Sequence, residues 1–337
     1  MKNSKVLLII LVLALSISAL VGCTPKKVVQ DDLPVVGDPE IKTEEYGITI
    51  NEDAVSFTDG RGEEVTLRKN PEKVVVLFNS YLDIWMLNGG SIVGKLEESV
   101  GQSPIPGTES AEIIGKLGSI ILEKVLSVEP DLVILNSNQA SQMELVPTLQ
   151  ENKIPFIAID YFAKEDYFKI VRLFSALNER EDLYEKNALN IKNEIDSIIK
   201  EVPKTSQPKV LIMMASAKSV TARGSDSYVG DMLKDLNTIN IADLSNDALS
   251  DKNFSIEKIL EEDPDFIFVQ TTGSDMDKVT ERMKEDVESN PAWSSLSAVK
   301  NNRYIILPKD IYMFKANHRY VEAYKGLAEI LYPDAFK

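Results

Sequence analysis

The hydrophobic pattern of this chain changes its period twice. Between Ile48 and Leu67 apolar and polar residues alternate, with Ile48, Ile50, Val55, Phe57, Val65 and Leu67 apolar and Asp59-Gly60-Arg61-Gly62 between them. A period of two around a glycine-rich turn predicts a β-hairpin. After Pro71 the pattern becomes short unbroken apolar runs, Val74–Leu77, Ile92–Val93 and Phe156–Ile159. Between them lie amphipathic stretches at Asn79–Asn88 and Gln142–Asn152, and a Gly-, Pro- and Ser-rich segment at Gly101–Gly118 that reads as a loop. Unbroken runs suit strands covered on both faces, and their alternation with helices predicts a parallel sheet.

Glu165–Val202 departs from this alternation and reads as a long helical stretch in two pieces that meet at Leu177-Asn178. In the second piece Tyr184, Ala188, Ile191, Ile195, Ile198 and Val202 recur at steps of four and three, one apolar stripe of a helix. Counted from Glu179, that helix would be roughly 36 Å long at 1.5 Å per residue, a rigid bridge between what precedes and follows it. Strand-like runs resume at Val210–Met214 and Tyr304–Leu307, with a turn-rich loop at Thr221–Ser227 and helices at Tyr228–Leu236, Asp277–Glu288 and Tyr320–Leu331.

One unit occurs twice. Residues 121–135 read ILEKVLSVEPDLVIL, and residues 255–269 read SIEKILEEDPDFIFV. In each copy a helix opens near a glutamate, Glu123 or Glu257, whose charge suits the positive end of the helix dipole. A proline, Pro130 or Pro264, disfavours helix in the residue before it. Pro-Asp then leads into an apolar strand. The same helix–turn–strand unit in both halves predicts two similar α/β lobes.

Composition alters this picture little. The 337 residues are 44% hydrophobic and 27% charged, an ordinary globular balance. The formal charge of −16 argues against nucleic acid as a partner, since that requires basic patches. The N-terminus says more. Lys2 and Lys5 precede the apolar run Val6–Leu20, which is short for a membrane span and leads into Leu20-Val21-Gly22-Cys23. This resembles a bacterial lipobox, in which the chain is cut before a cysteine that carries diacylglycerol; Cys23 is the only cysteine, so no intramolecular disulfide can form. Residues 1–22 are expected to be a signal peptide and 23–45 a lipidated, Pro-containing tether. The N-terminal α/β lobe is expected over 46–163, the helical linker over 164–207, and the C-terminal lobe over 208–337.

Lipobox, tether, two lobes and connecting helix together resemble the substrate-binding lipoproteins of ABC importers for iron–siderophores, haem and cobalamin. The resemblance covers essentially the whole chain after residue 22. It is carried by Pro71-Glu-Lys-Val-Val-Val-Leu, Ile114–Leu135, Tyr228-Val-Gly-Asp-Met-Leu and Asn290-Pro-Ala-Trp-Ser-Ser-Leu-Ser-Ala-Val-Lys-Asn-Asn-Arg, in that order. It implies two Rossmann-like lobes with parallel sheets joined by one long helix, with the ligand in a shallow cleft between them. It also implies a monomer on the extracytoplasmic face of the membrane that hands its ligand to a permease dimer with ATPase subunits. By position, Glu123 and Glu257 match the glutamates that dock on the two permease subunits. From the residues alone they read more readily as first-turn carboxylates on solvated helices.

Candidate chemistry is sparse. With one histidine, His318, and a lipidated cysteine, a transition-metal site is not expected. No Gly-x-Ser-x-Gly elbow and no phosphate loop occur, so no catalytic residue and no resident cofactor are expected. The alternative on the same fold is a chelatase-like enzyme acting on tetrapyrroles, or an accessory lipoprotein that has lost transport. Loops at the strand ends nominate the cleft: Asn79–Trp85, Asn136–Gln139, Asp160–Phe162, Met214–Arg223, Gln270–Ser274 and Tyr312–Arg319. Within them the candidate ligand contacts are Tyr81, Trp85, Asn138, Tyr161, Phe162, Met214, Arg223, Thr272, Tyr312 and His318. Arg223 suits an anionic ligand, and Tyr81 and Trp85 a flat one, although at helical spacing such aromatics more often belong to a core. The expected ligands, in order, are a ferric siderophore, haem and a corrinoid, since haem needs an axial His, Tyr or Met and no matched pair is evident.

Overall fold

A computed structural model describes residues 43–244 and 256–336. The expected signal peptide, Cys23 and nearly all of the expected tether lie outside the described residues. The described residues begin with an antiparallel meander of four strands, Thr43–Glu45, Ile48–Ile50, Ala54–Thr58 and Glu64–Arg68, the last two forming the expected hairpin. A five-stranded parallel sheet follows, in the spatial order Phe156–Ile159, Leu132–Asn136, Val74–Val76, Gly94–Lys95, Glu112–Ile113. The second half builds another sheet on Lys209–Ala215, Phe266–Thr271 and Tyr304–Ile306, which are parallel. Ile239–Asn240 pairs in parallel at the start of Lys209–Ala215, and Val220–Arg223 runs antiparallel along its end. The two-lobe α/β architecture is as expected, but the second sheet is mixed because the short Ser216–Ser219 turn returns the chain as a hairpin.

The repeated unit explains how each central strand is placed. The helices Leu122–Ser127 and Ile256–Glu262 end before the prolines, and the residues directly preceding them, Glu129 and Asp263, are left-handed (φ +48° and +43°). The aspartate after each proline then grips the start of the neighbouring strand. Asp131 accepts from the N–H groups of Glu72 and Lys73 at 2.8 and 2.9 Å, and its own N–H donates to Lys73 O at 3.0 Å. Asp265 repeats this on Lys209, accepting at 2.9 Å and donating at 2.8 Å. Pro-Asp is thus a latch that sets strand register, used once in each sheet.

Local departures from the sequence expectation have identifiable causes. The strand expected at Ile92–Val93 is displaced to Gly94–Lys95, and the expected loop Gly101–Gly118 contains the edge strand Glu112–Ile113 and one arm of a small hairpin. The helix expected over Gln142–Asn152 is two, Ala140–Met143 and Val146–Glu151, because Pro147 lacks an N–H donor and is accommodated in a first turn. The bridging helix starts at Glu181, not Glu179, whose φ of +53° breaks the helical path. It runs through a π-helical segment, Glu185–Leu189, into Asn190–Glu201.

This helix touches both halves. Near its start Tyr184 Oη donates to Glu45 Oε1 at 2.5 Å, and Asn187 Nδ2 donates to Leu87 O at 2.9 Å. Its later turns, with Ile195 fully buried, pack against the closing helix Tyr320–Leu331. The largest apolar cluster is shared by the two halves, running from Ile48, Tyr81 and Trp85 through Tyr161 and Tyr167 to Tyr320 and Tyr324. Two smaller clusters cover the outer faces of the two larger sheets.

Candidate ligand cleft between the two sheets

In a parallel sheet the connecting loops at the carboxyl ends of the strands converge. Here four such loops, two from each half, enclose a cleft of about 550 Å³. Phe78–Ser80 follow Val74–Val76, and Leu96–Gln102 follow Gly94–Lys95. From the other half, Thr272–Ser274 follow Phe266–Thr271, and Lys309 and Met313–Lys315 follow Tyr304–Ile306. Lys116 and Leu117, at the tip of the hairpin Gly115–Lys116/Ser119–Ile120, overhang the mouth. Gly115 makes that hairpin possible. Its φ is +145°, and a Cβ there would meet Ser119 O at 2.4 Å.

The walls are mainly apolar, from Phe78, Leu96, Val100, Leu117, Met313 and Phe314, and three ammonium groups enter them, Lys116, Lys309 and Lys315. Two carboxylates face the same space. Glu98 is neutralised by Lys95, whose ammonium holds its pKa below the usual carboxylate range, while Glu97 is exposed. Lys309 Nζ donates to Gly273 O at 2.7 Å, which ties two cleft loops together. Lys315 is half-buried. Its Nζ donates to Phe162 O at 2.8 Å and sits 4.6 Å from the ring centre of Tyr161 and 4.2 Å from that of Tyr228. Burial pulls its pKa down to about 8, against the opposing pull of Asp166 and Asp231. In a chain of net charge −16, the cleft is a local concentration of cations on a greasy surface.

Below the cleft the two halves are joined by polar groups. Asn317, 2% exposed, accepts from Tyr161 Oη at 3.0 Å and donates to Ser80 O at 3.0 Å and to Asp83 Oδ2 at 2.7 Å. Asp235 accepts from Lys164 Nζ and from Tyr324 Oη, both at 2.6 Å.

Of the ten ligand contacts nominated from sequence, Thr272 lines the cleft and the other nine do not. Tyr81 and Trp85 are fully buried: Tyr81 Oη donates to Ile159 O at 2.9 Å, and Trp85 packs edge-on to Phe174 with its N–H on Ser91 O. Tyr161 is part of the junction, one face turned to Lys315. Tyr312 is buried, with its hydroxyl on Ala323 O and its carbonyl on the Gln270 amide. Asn138 is exposed and donates to Asp160 Oδ1 at 2.7 Å, away from the cleft. Phe162 is exposed outside the lining and contributes only its carbonyl to Lys315. Met214 pairs within the sheet, and Arg223 sits on the antiparallel edge strand. His318 is on the surface with Nδ1 3.7 Å from Asp83. The stretches Asn79–Trp85, Gln270–Ser274 and Tyr312–Arg319 do contribute, through Asn79, Ser80, Thr272–Ser274 and Met313–Lys315. Sequence reasoning did not nominate Phe78, Leu96–Gln102, Lys116, Leu117 or Lys309 as contacts; the signal available was that each follows a strand or sits in a glycine-rich turn.

Glu123 and Glu257 are both exposed in the first turns of their helices. A helix that crosses over between parallel strands runs antiparallel to them, so its first turn lies at their carboxyl ends. Both glutamates therefore stand on the cleft side of their sheets. Among the described residues no three His, Cys, Asp or Glu side chains are grouped to hold a metal ion, and no helix is long and apolar enough to cross a membrane.

Comparison with known proteins agrees with this arrangement. The sequence profile of the family described as periplasmic binding protein matches residues 74–311. YvrC of Bacillus subtilis (strain 168), described as an uncharacterized ABC transporter substrate-binding lipoprotein, is 25% identical over 303 residues, covering 88% of this chain and 89% of that one. The Fe(3+)-citrate-binding protein YfmC of the same organism is 24% identical over 272 residues, covering 78% and 81%. The structure of Staphylococcus aureus SirA complexed with staphyloferrin B superposes with a TM-score of 0.65 at 20% identity, over 82% of this chain and 98% of that one. The chain belongs to the periplasmic binding protein family, the substrate-binding components of ABC importers rather than enzymes.

Proposed function

We propose that this protein is a lipid-anchored receptor on the extracytoplasmic face of the membrane that captures an anionic ferric chelate, a ferric siderophore in the first instance, and delivers it to an ABC permease with its ATPase subunits. The observation that carries the reading is the meeting of Lys116, Lys309 and Lys315 in one apolar-walled cleft of an otherwise acidic molecule. Ammonium groups attract carboxylate or catecholate oxygens, and the apolar walls take up the chelator's carbon skeleton. The relative named for Fe(3+)-citrate supports the same class of ligand. Haem is second. It needs an axial His, Tyr or Met, and among the described residues lining the cleft only Met313 is of those types. A corrinoid is third. Glu123 and Glu257, on the cleft side of the two sheets, are the proposed contacts to the two permease subunits, and Cys23 the proposed lipid attachment.

The test is to titrate the purified protein with a ferric tricatecholate, ferric citrate, a ferric trihydroxamate, haem and cobalamin, following quenching of Trp85 and Trp293 together with visible spectra. Saturable quenching by the anionic ferric chelates is expected. Tight haem binding with a Soret shift, and no response to the ferric chelates, would sink the reading.

A further inference from the structure

Lys315 differs from the other two cleft lysines in what surrounds it. Lys116 is exposed at the hairpin tip. Lys309 is committed to Gly273 O on its own half. Lys315 belongs to the C-terminal half, yet its ammonium donates to Phe162 O, just past the last strand of the N-terminal sheet. Its two flanking aromatic faces come from different segments, Tyr161 beside Phe162 and Tyr228 at the start of the Tyr228–Asp235 helix. Tyr228 is itself fixed, its hydroxyl accepting from Ala316 N–H at 2.7 Å.

An ammonium between two π faces is largely stripped of water while remaining cationic, because the ring quadrupoles replace part of the lost hydration. With one carbonyl as its only hydrogen-bond acceptor among the described residues, it keeps donors available on the side that faces the cleft. A charge already desolvated interacts strongly with an incoming oxyanion, since much of the desolvation cost has been met in folding. We propose that Lys315 is the residue that selects anionic ligands, its preformed ammonium on the cleft floor donating to a ligand oxyanion that reaches between the two halves. This rests on the chelate reading given above.

The titratable groups facing Lys315 are Asp166 on the Lys164–Leu177 helix, Asp231 on the Tyr228–Asp235 helix, and the phenols Tyr161 and Tyr228. Asp166 accepts from the N–H groups of Phe162 and Ala163 at 2.8 and 3.0 Å, so it is already engaged. Burial raises the pKa of Asp231 and of both phenols, and Lys315 is the group among these that discharges near pH 8.

The test measures binding of a ferric tricatecholate (anionic) and a ferric trihydroxamate (neutral) between pH 6 and 10, for the wild-type protein, Lys315→Arg and Lys315→Met. Wild-type affinity for the anionic chelate should hold below about pH 8 and fall up to tenfold per pH unit above it, as the ammonium loses its proton. Lys315→Arg should bind it without that fall. Lys315→Met should lose at least tenfold in affinity for the anionic chelate at pH 7 and keep its affinity for the neutral one. Equal weakening of both chelates in Lys315→Met, or the same alkaline fall in Lys315→Arg, would overturn the assignment. If the wild-type protein binds neither chelate at any pH, the chelate reading falls and the assignment with it.

Discussion

Truncating Asn317 to alanine should destabilise the protein by about 4 kcal/mol, from one side chain at the surface of neither half. The side chain is 2% exposed and makes three hydrogen bonds, to Tyr161 Oη, Ser80 O and Asp83 Oδ2. Burial holds Tyr161 protonated, so its hydroxyl remains a donor needing an acceptor. Removing the amide leaves that hydroxyl without its acceptor, at about 1–3 kcal/mol for a buried group, and takes a donor from the Asp83 carboxylate and a second one from the Ser80 carbonyl, which keeps its helical N–H partner. The backbone adds to this. Asn317 has φ +50°, a conformation asparagine tolerates and alanine resists by roughly 1–2 kcal/mol. Asn317→Gly makes the same deletions without that strain, so it should be less destabilising than alanine by about 1 kcal/mol. Urea unfolding followed by tryptophan emission measures both variants, and the difference between alanine and glycine separates the two terms. A loss below about 1 kcal/mol for Asn317→Ala would refute the view that this residue clamps the halves. Glycine and alanine being equally destabilising would refute the backbone part alone.

The remaining predictions concern docking and the core. Glu123→Arg together with Glu257→Arg should leave chelate affinity unchanged and lower stability only modestly, by about 1–2 kcal/mol from the lost helix-dipole interactions, while abolishing uptake in cells that depend on this protein; normal uptake by the double variant would end the docking role. Trp85→Ala should cost about 3–5 kcal/mol, as expected for a fully buried Trp, and leave the affinity for a ferric chelate intact in the folded fraction, because the indole packs on Phe174 and does not line the cleft. A specific loss of affinity without a loss of stability would return Trp85 to the ligand site.

The elements built from near neighbours in sequence were legible in it. The Pro-Asp repeat announced itself because helix end, turn and strand are contiguous, though the partner of each aspartate, on the next strand, was not visible. The hairpin around Asp59–Gly62 and the strand Phe156–Ile159 were legible for the same reason. The cleft was not, because it depends on which strand ends meet across the two halves. Among the described residues the ends of four strands and one hairpin tip meet there, and the sequence does not distinguish them from the others. Tyr81 and Trp85, four residues apart on one helix, carry the same pattern whether they face a ligand or a core, and the packing of the Lys164–Leu177 helix against them decides for the core. Lys116 was hidden in a glycine-rich stretch that reads as featureless loop but folds into a hairpin over the mouth.

The apolar cluster that runs through both halves has a consequence for how the molecule can fail. Neither half contains a complete interior: separated, one would present Tyr167 and Phe168 to water and the other Tyr320 and Tyr324, all of them enclosed in the intact chain. Two sheets would suggest two calorimetric transitions, but a common interior makes them melt as one. A stop codon between the sheets therefore yields an aggregation-prone fragment rather than half a receptor, and a backbone nick is tolerated only while the two pieces stay together.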